Sequence, residues 1–158
     1  MRKRIITPVQ KQQPSPNESW LDLEKIAEVE ISSEDEAYPI ESALLPNQGN
    51  NGWRATESGQ QTIRLLFSAP QVLEKIYLSF EETKTERTQE YLLRWSPDNG
   101  QTFQEILRQQ WNFNPQGSTR EKEEHHLGLS TVTIFELIII PDIKGGDALA
   151  CLKQLRLS

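Results

Sequence analysis

Between Gln110 and Gly128 the chain interleaves two aromatic residues, Trp111 and Phe113, with Asn112, Asn114, Gln116, Ser118 and Arg120. Those residue types suit sugar recognition. A ring stacks on the C–H face of a pyranose, while amides and a guanidinium satisfy its hydroxyls. The same residues also fit a plainer arrangement, in which alternate aromatics Trp111 and Phe113 face a core and the rest is solvated loop. Trp53 and Arg54, at the end of a long polar stretch, present the same pair of readings, with Trp53 expected inside and Arg54 outside.

Other constellations carry less chemistry. Ser96-Pro97-Asp98-Asn99-Gly100-Gln101-Thr102-Phe103 fits the Asp-box pattern S-x-D-x-G-x-T-aromatic. Asp98 accepts from backbone amides across the turn, Gly100 takes a positive φ and Phe103 packs beneath. A single copy in a chain too short for a propeller reads as hairpin chemistry. His125 and His126 are adjacent, so on a strand they point to opposite faces and do not jointly grip one ion. There is no G-x-S-x-G, no H-E-x-x-H, no phosphate loop and no carboxylate spacing that singles out an acid/base pair. A non-catalytic binding role is therefore expected, with no metal and no cofactor.

The elements that must position these residues read as strands. Ser19 is expected to cap a short helical turn with Trp20, Leu23, Ile26 and Ala27 on one face. Val29 and Ile31 then alternate with polar neighbours, and a long loop from Ser33 to Gly52 follows, anchored by Ala43, Leu44 and Leu45. Strands are expected over Thr62–Phe67 and Leu73–Phe80, split by Ala69-Pro70, with Glu81 to Glu90 as a charged connection. Tyr91, Leu93 and Trp95 mark the next strand. Phe103 to Trp111 returns from the hairpin, Val132 to Ile140 is dense in β-branched residues, and Leu149 to Leu157 closes the chain. This grammar makes an all-β antiparallel sandwich.

Composition narrows the partners. The chain has 158 residues and a net charge of −6, and the only charged side chains before Glu18 are Arg2, Lys3, Arg4 and Lys11. Removing these four from 17 basic residues leaves 13 against 23 acidic, a body of net −10. So acidic a body repels phosphate backbones, which argues against nucleic acid. Residues 1–17, with three prolines, are expected to be a flexible tail whose basic end suits an acidic partner, and residues 18–158 one domain. Cys151 is the sole cysteine, which excludes an intrachain disulfide and reads as a small buried thiol. No apolar run reaches membrane-spanning length, so no membrane insertion is expected and a cytoplasmic location is the default.

Taken in order, IAEVEISSEDEAYPIESAL, GWRAT, TIRLLFSAPQVLEKIYLSF, YLLRWSPDNGQTFQEI, FELIIIPDI and ALACLKQLRL resemble the discoidin, or coagulation factor 5/8 type C, family of galactose-binding-like sandwiches. The resemblance covers nearly the whole chain after the tail. It implies an eight-stranded antiparallel jelly-roll β-sandwich with ligands held by loops at one end. Carbohydrate-binding members commonly hold Ca²⁺ through an Asp-Gly-Asn-type loop before the Trp and a late Glu. Here Pro46 and Gln154 stand at those places, so weak or no calcium binding is expected. The bracketing cysteine pair of secreted animal members is absent as well.

Three functions follow as expectations. The first is carbohydrate recognition, with Trp111 or Phe113 as the stacking ring and Arg54, Asn112 and Arg120 as polar contacts. The second is a protein-interaction or accessory subunit of a larger intracellular complex, docking through the acidic face, the 33–52 loop or the basic tail. The weakest is a glycan-processing enzyme, carried only by the Asp-box likeness. Sugar binding predicts exposed aromatics around an amide-lined concavity, and protein docking a flatter apolar patch rimmed by charge.

Overall fold

The computed structural model describes residues 20–49 and 51–158. The expected tail over 1–17 and the Ser19 cap lie outside them. Among the described residues helical structure is confined to two single turns, α1 (Leu23–Ile26) and α2 (Glu41–Leu44). The strands are β1 (Ala27–Ile31), β2 (Trp53–Ser58), β3 (Gln61–Glu81), β4 (Arg87–Ser96), β5 (Gln104–Phe113), β6 (Arg120–Ile140), β7 (Leu149–Leu152) and β8 (Gln154–Leu157). All pairings are antiparallel. A six-stranded sheet runs β1-β3-β6-β4-β5 with β8 on the far part of β3, and β2 pairs β7 separately.

The two longest strands make the sandwich. β3 and β6 pair from Gln61↔Ile139 to Leu66↔Ile134, lose register around Gln71 and Leu73, and pair again from Lys75↔His126 to Glu81↔Arg120. Pro70, which has no amide hydrogen, sits in the gap between paired positions Leu66 and Gln71. On β6 the matching bend contains Gly128 and Thr131, both at positive φ (59° and 61°). Bulges of this kind let a strand pair leave one layer and enter the other. Side chains prove the fold-over. Tyr91 on β4 stacks on Phe80 at 5.4 Å between centroids and bonds His125 Nε2 at 2.8 Å, yet β4 has no backbone pairing with those parts of β3 and β6.

Four sequence expectations change here. Residues 61–81 form one bent strand rather than two, because the Pro break is a bulge and not a strand end. Of the stretch Gln110 to Gly128, expected to leave a strand and enter a loop, residues 120–128 belong to β6, and the connection from β5 is only Asn114 to Thr119. The first helical turn starts at Leu23 after Asp22, and Ala27 is already β1. Val29, expected on a half-buried face, is 37% exposed, because β1 is an edge strand with both neighbours polar. Ala43 and Leu44 do anchor the long loop, at 0% and 6% exposure.

β6 lies centrally between β3 and β4, so Val132–Leu137 is buried on both faces. Its Glu136, which faces away from the core residues Phe135 and Leu137, is held by Arg64 (2.8 Å) on β3 and Arg94 (2.7 Å) on β4. The Asp98 hairpin forms as expected. Asp98 accepts from Thr102 Oγ1 (2.6 Å), Thr102 N (2.8 Å) and Ser96 Oγ (2.7 Å), and these bonds hold its carboxyl below the usual range.

Candidate functional site

At the end of the sandwich where β3 runs into β4, several loops meet over Arg87. This side chain is fully enclosed. Its Nε donates to Glu82 at 2.8 Å, its Nη1 to Pro141 O at 2.7 Å and to Gln89 at 3.2 Å, and its guanidinium lies 4.8 Å from the Phe113 ring centroid. Burial alone would raise the Glu82 carboxyl, but the bond and charge of Arg87 together with the Lys84 and Thr85 backbone amides offset it, and the net shift is downward. One cation thus ties together the β3–β4 connection, the chain after β6 and the end of β5. Cys151 stands beside it, donating to Glu81 O at 3.4 Å, and burial pushes the thiol's pKa up.

Above this knot is a hollow of about 60 Å³ walled by Tyr38, Asn51, Arg54, Glu81 and Lys153, with Trp53, Cys151 and Leu152 beneath. Gly52 makes it possible. Its φ is +69° and a Cβ there would collide with Leu152 O, so only glycine lets β2 lie this close to β7. Trp53 then turns fully inward, its Nε1 donating to Ser33 O at 3.1 Å, while Arg54 turns outward. The backbone of Arg54 is clamped by Tyr38 O (3.2 Å) and the Asp35 amide (2.9 Å). Its guanidinium sits 4.4 Å from the Tyr38 ring centroid, a cation–π arrangement. On the other side of the hollow, Arg120 Nε donates to Glu81 at 3.0 Å, fixing that carboxylate.

The five residues expected to bind ligand therefore separate. Arg54 lines the hollow, and Arg120 is linked to it only through its bond to Glu81. Phe113 is corrected: it is 0% exposed under Arg87 and has no face for a sugar. Trp111 and Phe113 share parity on β5, so both turn between the layers. Trp111 is half-buried against the core, and its Nε1 is enclosed without a hydrogen-bond partner among the described residues. Asn112 is on the opposite, exposed face and accepts from Thr88 Oγ1 at 2.8 Å. Neither joins the hollow.

Sequence reasoning missed Tyr38, Glu81 and Lys153. Tyr38 had a signal, since it is the only aromatic residue between Ser33 and Gly52. The other two had none, because their convergence comes from pairings across the fold. His125 and His126 separate as expected, one to Tyr91 and one to solvent. Among the described residues no three His, Cys, Asp or Glu side chains are placed to hold a metal ion.

No protein-family profile matches the chain, and no curated protein matches its sequence. Solved structures do match. The family 32 carbohydrate-binding module of Clostridium perfringens NanJ, in complex with galactose, superposes with a TM-score of 0.64 at 12% identity, over 87% of this chain and 96% of that one. The fold is that of the family 32 modules. The family 32 module of AlyQ, in complex with 4,5-unsaturated mannuronic acid, gives 0.63 at 14% identity over 89% and 98%. The C-terminal domain of a Bacteroides fragilis chitobiase gives 0.64 at 13% over 89% and 97%. This galactose-binding-like sandwich is the fold that the resemblance to the discoidin family implied.

Proposed function

We propose that the chain is a non-catalytic carbohydrate-binding module whose apical hollow grips one edge of a sugar residue. The observation that carries this reading is the Arg54 guanidinium laid on the Tyr38 ring beside a carboxylate fixed by Arg120. Fixed donors and acceptors next to an aromatic wall complement the alternating hydroxyl and C–H edges of a pyranose. At about 60 Å³ the hollow takes a substituent rather than a whole ring, so the sugar lies across its mouth. Sugar complexes among modules of the same fold support the reading. The test is a glycan array followed by calorimetry on the full chain. Arg54→Ala is expected to abolish retention with an unchanged thermal midpoint, whereas a silent array for the wild-type protein would overturn the proposal.

A second reading, docking of another protein, has its own observation. Leu23, Ala27, Val29, Ile40, Leu44, Leu45 and Leu65 line an apolar groove of about 220 Å³ rimmed by Glu24, Glu28 and Glu41. Apolar lining with an acidic rim suits a basic amphipathic segment. Leu45→Asp would weaken capture of such a peptide without touching the apical hollow. Equal capture by wild type and variant would remove this reading.

A further inference from the structure

We infer that the apical hollow selects acidic sugars, receiving the carboxylate of a uronic acid residue between Arg54 and Lys153; this rests on the sugar-binding reading of the same hollow. The argument begins from charge. Outside its basic first residues the protein is strongly acidic, yet the charges around this hollow run the other way. Glu81 is occupied by Arg120 at 3.0 Å, and Glu82 by Arg87 at 2.8 Å. Arg54 and Lys153 remain, and neither forms an ion pair with a carboxylate among the described residues, although both line the hollow. In a chain with 23 acidic residues, leaving two cations together and unneutralised is an arrangement that folding stability does not ask for.

Both cations stand on fixed backbone. Arg54 is clamped through its own amide and carbonyl, as described above. Lys153 lies between β7 and β8, its amide donating to Ser79 O at 2.8 Å, and its side chain is half-buried. The hollow's volume of about 60 Å³ is several times the roughly 10–15 Å³ that holds one water, enough for a carboxylate group. A planar carboxylate bonds a guanidinium fork and an ammonium with charge-assisted hydrogen bonds, stronger than the neutral bonds a hydroxymethyl group would make there. Glu81, already neutralised, accepts from the ring hydroxyls and sets which way the sugar faces.

Calorimetry on the full chain tests this with galacturonate oligosaccharides, their methyl esters and neutral galactose oligosaccharides. The expected result is binding of the free acid at least tenfold tighter than the ester. Raising salt should shrink the difference, since the hollow opens to solvent. Lys153→Gln should bring acid and ester to within about twofold, and Lys25→Gln, which removes an exposed cation on α1 paired with Asp22, should leave the preference intact. Equal binding of acid and ester by the wild-type protein, still abolished by Arg54→Ala, would overturn the acidic-sugar inference and keep the sugar reading. An undiminished preference in Lys153→Gln would overturn the placement of the carboxylate. Failure of all three probes, with a silent glycan array, would overturn both.

Discussion

The apical hollow and the space between the layers beneath it are built from the same residue types, and the fold puts them to opposite uses. In the hollow, Arg54, Glu81 and Lys153 are partly solvated, and each presents a charged group to the mouth. Between the layers, Gln89 donates to Glu121 at 3.3 Å, Gln109 to Glu123 at 3.4 Å, and Trp111 encloses its own Nε1. Glu121 is 1% exposed, with one oxygen unpartnered. Burial first, and then the neighbouring Glu123, push its pKa up to about 8. Polar groups near water bind without a large folding penalty. The same groups away from water cost stability unless every atom is satisfied.

Four substitutions break or sharpen that contrast. Arg87→Met should have the largest effect. It strips the partner from Glu82 and leaves Pro141 O unbonded, for a loss of about 3–5 kcal/mol in denaturant unfolding. A loss within 1 kcal/mol would show that the loops hold together without it. Trp111→Ala comes next. It should cost about 2–4 kcal/mol by removing a large half-buried ring, yet leave glycan affinity in place; lost affinity with normal stability would return Trp111 to the binding surface.

Glu121→Gln acts through pH. The folded carboxyl keeps its proton between about pH 4.5 and about 8, where the unfolded chain has released it. Stability of the wild-type protein therefore falls as pH rises through this window, by up to about 1.4 kcal/mol per unit from this group. The glutamine variant should lack that slope, matching wild type below pH 4.5 and exceeding it above 8. Parallel stability curves for the two proteins would show that Glu121 ionises normally. Arg54→Ala should have the smallest effect on folding, within about 0.5 kcal/mol, because the side chain is exposed. A larger loss would mean that its seat on Tyr38 is structural.

The contrast also explains what the sequence disclosed. The Asp98 hairpin, the Pro70 interruption and the β-branched run to Ile140 are local signals, since turn chemistry and alternation act within a few residues. The near half of β6 was hidden because its inward positions are Glu121, Glu123 and His125, not apolar residues. Those side chains are accommodated by Gln89, Gln109 and Tyr91 on strands far away in sequence. Arg54 and Arg120 stood out as polar residues near loops, but Glu81 and Lys153 joined them only through the pairing of β3 with β6 and the Lys153–Ser79 bond. Trp111 and Phe113 were ambiguous because parity on a strand fixes that two rings share a face, not which face looks inward.

The backbone bond from Leu21 N to Leu157 O, at 2.8 Å, is one of the contacts that bring the first and last described residues together, and Ser158 bonds Lys75 nearby. The hollow lies at Glu81, six residues farther along β3, roughly 20 Å at strand spacing. A sensor surface coupled through residue 158 would thus hold the protein by the end remote from Arg54. Attachment there leaves the side chains that wall the hollow untouched.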